Sequence, residues 1–99
     1  MSNINRVILS GHLTRDAVVK VFETGSVIEF AVASNSGPKD KEVTLFMDCQ
    51  YWVTSSAVAE YLVKGKKVAV EGRLKQDSWE KDGVKHTKLI IKVDNLELS

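Results

Sequence analysis

Ser55-Ser56-Ala57-Val58-Ala59-Glu60-Tyr61-Leu62-Val63-Lys64-Gly65 is the one stretch of this chain with helical spacing, and its position decides the fold. Val58 and Leu62 stand at i,i+4. Thr54 or Ser55 is placed to cap the first turn, and Gly65 follows Lys64 where a helix C-terminus takes glycine. The spacing predicts one short helix over residues 55–64. Around it, the chain alternates with period two.

Immediately upstream, Val43–Trp52 reads as a strand with Leu45, Met47, Cys49 and Tyr51 on its inward parity. Downstream, Lys66–Lys75 places Val68, Val70, Gly72 and Leu74 on one face. Lys81-Asp82-Gly83-Val84 then carries an Asp-Gly hairpin signal, followed by a strand from Lys85 to Val93. Toward the N-terminus, Val7–Leu13 alternates with Val7, Leu9, Gly11 and Leu13 together. Glu23-Thr24-Gly25-Ser26 reads as a turn, and Val27–Ser34 as a strand with Ile28, Phe30 and Val32 inward. Asn35–Lys41, with the sole proline Pro38, is loop chemistry. The order is β-β-β-α-β-β. It predicts an all-β fold, a five-stranded OB-fold Greek-key barrel with one short helix between strands 3 and 4.

Composition fits a single domain over residues 1–99, since 99 residues leave no room for a second core. The hydrophobic share of 43% is that of a folded protein rather than a disordered one. Cys49 is the only cysteine, which rules out an internal disulfide and fits a reducing compartment. The first residues have no signal-peptide pattern, and no apolar run approaches the roughly 20 residues that span a bilayer. The expectation is a cytoplasmic protein with no membrane contact. A formal charge of +1 does not by itself nominate nucleic acid, so any attraction for phosphate must come from arrangement.

The strand before the helix carries the most informative chemistry. Its outward parity reads Thr44, Phe46, Asp48, Gln50, Trp52, two large aromatics among polar side chains. An aromatic ring on a polar sheet face is a platform for a nucleobase, and stacking contributes roughly 1–3 kcal/mol per base whatever the sequence. If the next strand continues into its hairpin, Arg73, Lys75, Asp77 and Trp79 share a face in the same way. Lysine and arginine there would meet phosphates while the ring meets bases. Core packing or a subunit interface also fits each ring, and parity alone leaves both open.

Nothing supports catalysis or a cofactor. His12 and His86 have no companion at metal-ligand spacing, so no metal site is expected. Ser55-Ser56 lacks a nucleophile-elbow context, and the six glycines are scattered rather than gathered into a phosphate loop. Cys49 lies on an inward parity, where a thiol is buried and inert.

The run Asn5-Arg6-Val7-Ile8-Leu9-Ser10-Gly11-His12-Leu13-Thr14-Arg15-Asp16 resembles the opening of bacterial-type single-stranded DNA-binding proteins. Phe46, Asp48, Cys49 and Trp52 are similar to the family's third strand. Ala59–Gly65 followed by Val70-Glu71-Gly72-Arg73-Leu74 resembles its helix and fourth strand. The likeness covers essentially the whole chain. It implies sequence-independent binding of single-stranded DNA in replication, repair and recombination, by a protein that self-associates, usually as a homotetramer, with a dimer the other possibility. The family's stacking aromatics map onto Phe46, Trp52 and Trp79. Its basic contacts map onto Arg6, Lys20, Lys64 and Lys75, with Arg73 added here. Because relatives pair subunits through the first strand, Asn5, Arg6 and Glu71 become candidates for a polar subunit interface, and Arg6 stays open between interface and DNA.

Three departures qualify that expectation. No aromatic stands near Pro38, where relatives can carry another stacking tryptophan. Asp48 and Asp77 occupy positions where some relatives place arginine. The sequence ends at Ser99, whereas typical members continue into a flexible tail with an acidic tip, so tail-mediated recruitment of repair proteins is not expected. The alternative is a primosomal-type OB module for protein interaction with weak nucleic-acid affinity. RNA binding of the cold-shock type fits less well, since those barrels are shorter and lack the helix.

Overall fold

Alternating apolar residues give each strand one face that must leave water, and closing the sheet on itself hides all of those faces at once. The computed structural model describes residues 3–99. Its strands are β1 (Val7–Leu13), β2 (Val18–Phe22), β3 (Gly25–Ser36), β4 (Val43–Val53), β5 (Lys67–Lys81) and β6 (Val84–Leu98). The sheet runs β1-β5-β6-β4-β3-β2, and β1 also pairs with β3 at His12–Ala33 and Leu13–Val32. That second pairing closes the ring. All pairings are antiparallel except β4 with β6, which join in parallel from Asp48–Ile90 to Tyr51–Val93.

Six strands make a five-stranded barrel because β1 and β2 lie end to end along the same edge of β3. The predicted OB barrel is therefore present, with its first strand broken at Thr14–Ala17. The sequence reading leaves β2 unassigned, although Val18-Val19-Lys20-Val21-Phe22 is rich in β-branched residues. Every described residue of β2 is exposed, which is why its apolar alternation is weak.

The predicted helix is not formed. A five-residue 3₁₀ turn, Ala57–Tyr61, stands in its place, with a second 3₁₀ turn at Lys39–Lys41. The reason lies in the break of the first strand. Leu62 carbonyl accepts from Ala17 N–H at 2.9 Å, Gly65 N–H donates to Leu13 carbonyl at 2.8 Å, and Leu13 N–H donates to Lys66 carbonyl at 2.9 Å. Lys64 N–H donates to Asp16 Oδ1 at 2.8 Å. These groups would continue or close an α-helix, and the strand break claims them instead. Leu62 still reaches the core, so the apolar spacing is kept although the backbone is not α-helical.

The core gathers Leu13, Ile28, Phe30, Val32, Cys49, Leu62, Val68, Val70, Ile91 and Val93. Met47 and Tyr51 pack against it as expected. Leu45 and Leu74 share the inward parity but stay partly in water, because both strands run on past the barrel. β5 and β6 are 15 residues each, longer than their apolar segments, and form a ribbon paired as far as Lys81–Val84. Asp82 (φ 54°) and Gly83 (φ 78°) make its turn, the left-handed pair that a two-residue hairpin requires. Near the barrel, Glu71 faces Asn95 while Gly72 faces Val93, so Asp94 bulges from β6 and the ribbon bends.

Candidate nucleic-acid interface

The side chains that point away from the core on β2, β3, β4, β6 and the upper half of β5 form one continuous face. Register places them. Lys20 stands opposite Val27, Val27 opposite Trp52, and Glu29 opposite Gln50. Asp48 faces Ile90 in β6, and Ile90 faces Lys75 in β5. Val27, Ala31 and Ile90 are buried without belonging to the barrel core, which makes them the floor of this outer face.

Three of the predicted aromatics stand on it. Phe46 is 67% exposed, Trp52 48% and Trp79 45%, values that rule out core packing within this chain. Large rings held by a rigid strand lose little freedom when a base covers them, which is why sheets suit this task. A fourth ring, Phe22, was not anticipated. It lies 5.5 Å from Trp52 between ring centroids, tilted by 32°, and is itself half exposed. Recognising Val18–Phe22 as a strand would have revealed it, since Lys20 and Phe22 share the outward parity. Trp79 in turn lies parallel to His86 across the ribbon, with centroids 5.5 Å apart and planes 20° apart.

Polar side chains fill the space between the rings. Lys20 Nζ lies 3.0 Å from Glu29, Lys75 Nζ 3.4 Å from Asp77, and Lys88 Nζ 3.1 Å from Asp48, with Arg15 at 4.0 Å from the same carboxylate. Gln50 joins two of these pairs. Its amide donates to Glu29 at 3.2 Å and its carbonyl accepts from Lys75 at 3.3 Å. A shallow groove of about 300 Å³ lies here, edged by Arg15, Lys20, Glu29, Asp48, Asp77 and Lys88. Of the predicted basic residues, Lys20 and Lys75 are in this group, and Arg73 is beside it, 3.6 Å from Asp94. Lys64 is not on a strand. It belongs to the loop tied to Asp16, at the strand break. Arg15 and Lys88 are cations that the sequence reading did not nominate.

The three residues proposed for a subunit interface collect elsewhere, around β1. Arg6 Nη1 lies 3.1 Å from Glu71, and Asn95 donates to the other oxygen of that carboxylate at 2.8 Å. Asn5 uses its side-chain amide as a spare backbone rung, donating to Leu74 carbonyl at 2.9 Å and accepting from Leu74 N–H at 3.0 Å. All of these bonds lie within one chain. They frame a surface on which Ile8 is 74% exposed. On the side away from β5, β1 has a described strand partner only at His12 and Leu13. Arg6 points to this surface and not to the aromatic face.

Among the described residues, no cluster of three or more histidine, cysteine or carboxylate side chains could hold a metal, and no helix is long and apolar enough to cross a membrane.

Known proteins share this architecture. The model of the single-strand binding protein family matches residues 4–99. A single-stranded DNA-binding protein of Treponema pallidum is 40% identical over 104 residues, covering 99% of this chain and 59% of the relative. One from Borreliella burgdorferi is 37% identical, covering 99% of this chain and 71% of its own length. The chain thus spans well under the full length of these relatives. Among solved structures, the Plasmodium falciparum SSB complex with ssDNA superposes with a TM-score of 0.84 at 20% identity, covering 99% of this chain and 95% of that one. At that identity the likeness establishes the fold.

Proposed function

The chain belongs to the single-strand binding protein family, and from that premise we propose that it binds single-stranded DNA without regard to sequence and shields it during replication, repair and recombination. The observation that carries this reading is the placement of Phe46, Trp52 and Trp79, all exposed, on one outer sheet face floored by buried apolar side chains. Bases stack on these rings, with Phe22 widening the platform at Trp52. Lys20, Lys75 and Arg73 meet phosphates, and Lys64 takes the backbone where it leaves the sheet. The role is binding and not catalysis, it needs no cofactor, and it belongs in the cytoplasm. Subunits associate through β1, with Asn5, Arg6 and Glu71 around the contact, and a homotetramer is the expected assembly.

Titration with oligothymidylate tests the reading. Both tryptophans should be quenched, and affinity should fall as salt rises through counterion release. Trp52→Ala and Trp79→Ala should each weaken binding by roughly 1–3 kcal/mol while leaving the melting temperature nearly unchanged. Unquenched tryptophans at saturating oligonucleotide and low salt would remove the basis of the proposal. A protein that ignored oligonucleotide yet assembled with a protein partner would instead support an interaction module.

A further inference from the structure

Most cations of the proposed binding face already face a carboxylate: Lys20, Lys75, Lys88, Arg15 and Arg73 are paired, while Lys92, between Gln50 and Arg73, and Lys64 have no ion pair among the described residues. An unbroken chain of contacts crosses the sheet, from Asp77 to Lys75 on β5, to Gln50 on β4, to Glu29 on β3 and to Lys20 on β2. A second cluster joins Lys88 on β6, Asp48 on β4 and Arg15. The groove edge thus holds three cations and three carboxylates. The rings are interleaved with this lattice. Asp48 and Gln50 separate Phe46 from Trp52 along β4, Asp77 lies two residues before Trp79, and Lys20 lies two residues before Phe22. A strand running from Trp52 to Phe46 or on to Trp79 must pass over it.

We infer that Glu29, Asp48 and Asp77 act as built-in substitutes for phosphate, which make the face selective for polyanions that can also stack. The inference rests on the binding role proposed above and concerns how that same site chooses its ligand. Exposed ion pairs of this kind each contribute little to folding, and the effect inferred for the lattice falls on binding. A phosphate that takes Lys20 from Glu29 gains one charge pair and leaves that carboxylate with only the Gln50 amide, so the exchange is close to even. Duplex DNA offers only phosphate, because its bases are already stacked, and has nothing further to offset the exchange. A single strand brings bases to Phe46, Trp52 and Trp79, and stacking tips the balance. Discrimination of this kind works by penalising the wrong ligand rather than by adding contacts to the right one.

The test compares the intact chain with the double variant Glu29→Gln and Asp48→Asn, which leaves the side-chain shapes nearly unchanged. Binding is measured against oligothymidylate, a 20-base-pair duplex and inorganic polyphosphate at several salt concentrations. The variant should bind duplex and polyphosphate at least tenfold more tightly at low salt. Its gain for oligothymidylate should be only a few-fold. The salt slope for duplex should steepen by about 0.9 for each cation released from its carboxylate. Melting temperatures identify any loss of fold, and in that event Asp77→Asn, which frees Lys75, makes the same measurement. If oligothymidylate binds both proteins while duplex affinity and slope stay unchanged, the lattice has no selective role and the inference fails alone. If the unaltered protein does not bind oligothymidylate at all, the proposed function fails first.

Discussion

Cys49 shows how one residue's chemistry follows from its parity. It lies on the inward side of β4 with 1% of its surface exposed, and burial, followed by the adjacent Asp48 carboxylate, pushes the thiol up to about 12. A thiol held neutral is a poor nucleophile. Iodoacetamide at pH 8 should therefore leave the native protein unmodified and alkylate it fully in denaturant. Rapid labelling of the native state would contradict this burial. The same shift has a pH signature. The unfolded chain releases this proton near pH 9 and the folded chain only near 12, so the contribution of Cys49 to stability is complete below pH 9 and is lost as pH rises toward 12. Denaturant midpoints taken from pH 8 to 11 should decline, and Cys49→Ser should flatten part of that decline. Among the rings, exposure rather than identity decides the role: Phe30 is buried in the core, while Phe46, of the same type, projects into water.

At the scale of elements, the break in the first strand governs its surroundings. β1 must swing onto β3 at His12–Leu13 to close the barrel, and Gly11 sits where the two backbones cross. A Cβ at Gly11 would run into the Ala33 carbonyl, which a backbone cannot easily vacate. Gly11→Ala should destabilise the protein by about 1–3 kcal/mol, the usual cost of overpacking a close approach. Thermal unfolding checks it, and an unchanged midpoint would mean the strands separate there at no cost. The same break explains why residues 55–64 fail to make a helix. Propensity and an apolar i,i+4 pair favoured one, but hydrogen bonds to Leu13, Asp16 and Ala17 compete for its backbone and win. A five-residue 3₁₀ turn is what remains.

At the scale of the whole molecule, β5 links two surfaces. Its first half carries Ala69 and Glu71 beside β1 and Ile8, and its second half carries Lys75, Asp77 and Trp79 on the aromatic face. Apolar surface as open as Ile8, next to a strand edge with little pairing, is a natural contact between copies. Sedimentation velocity should find the unaltered protein heavier than a monomer. Ile8→Asp should lower that mass while each subunit still shows tryptophan quenching by a short oligothymidylate. A monomer before substitution would end the assembly proposal without touching the aromatic face. The extents of 45 × 36 × 35 Å describe a barrel with one projecting ribbon, and Trp79 stands on that ribbon.

Period-two alternation made the chain all-β, because residues that must leave water on one face of each strand have few ways to do so in 99 residues, and the non-strand segment at 55–65 is what favoured the OB barrel among such folds. Parity likewise set Phe46, Trp52 and Trp79 on the outer face, and the Asp-Gly turn set the end of the ribbon. Three other features came from tertiary structure alone. The helix gave way to a 3₁₀ turn because bonds to residues some 50 positions away outcompeted local ones. Phe22 joined Trp52 because β2, which buries neither of its faces, is placed by its pairing with β3. The pairing of Lys20, Lys75 and Lys88 with Glu29, Asp77 and Asp48 is the third. Charge along a chain is a count, but charge on a sheet depends on which strands lie side by side. A net charge of +1 said nothing of that arrangement, and strand register decided it.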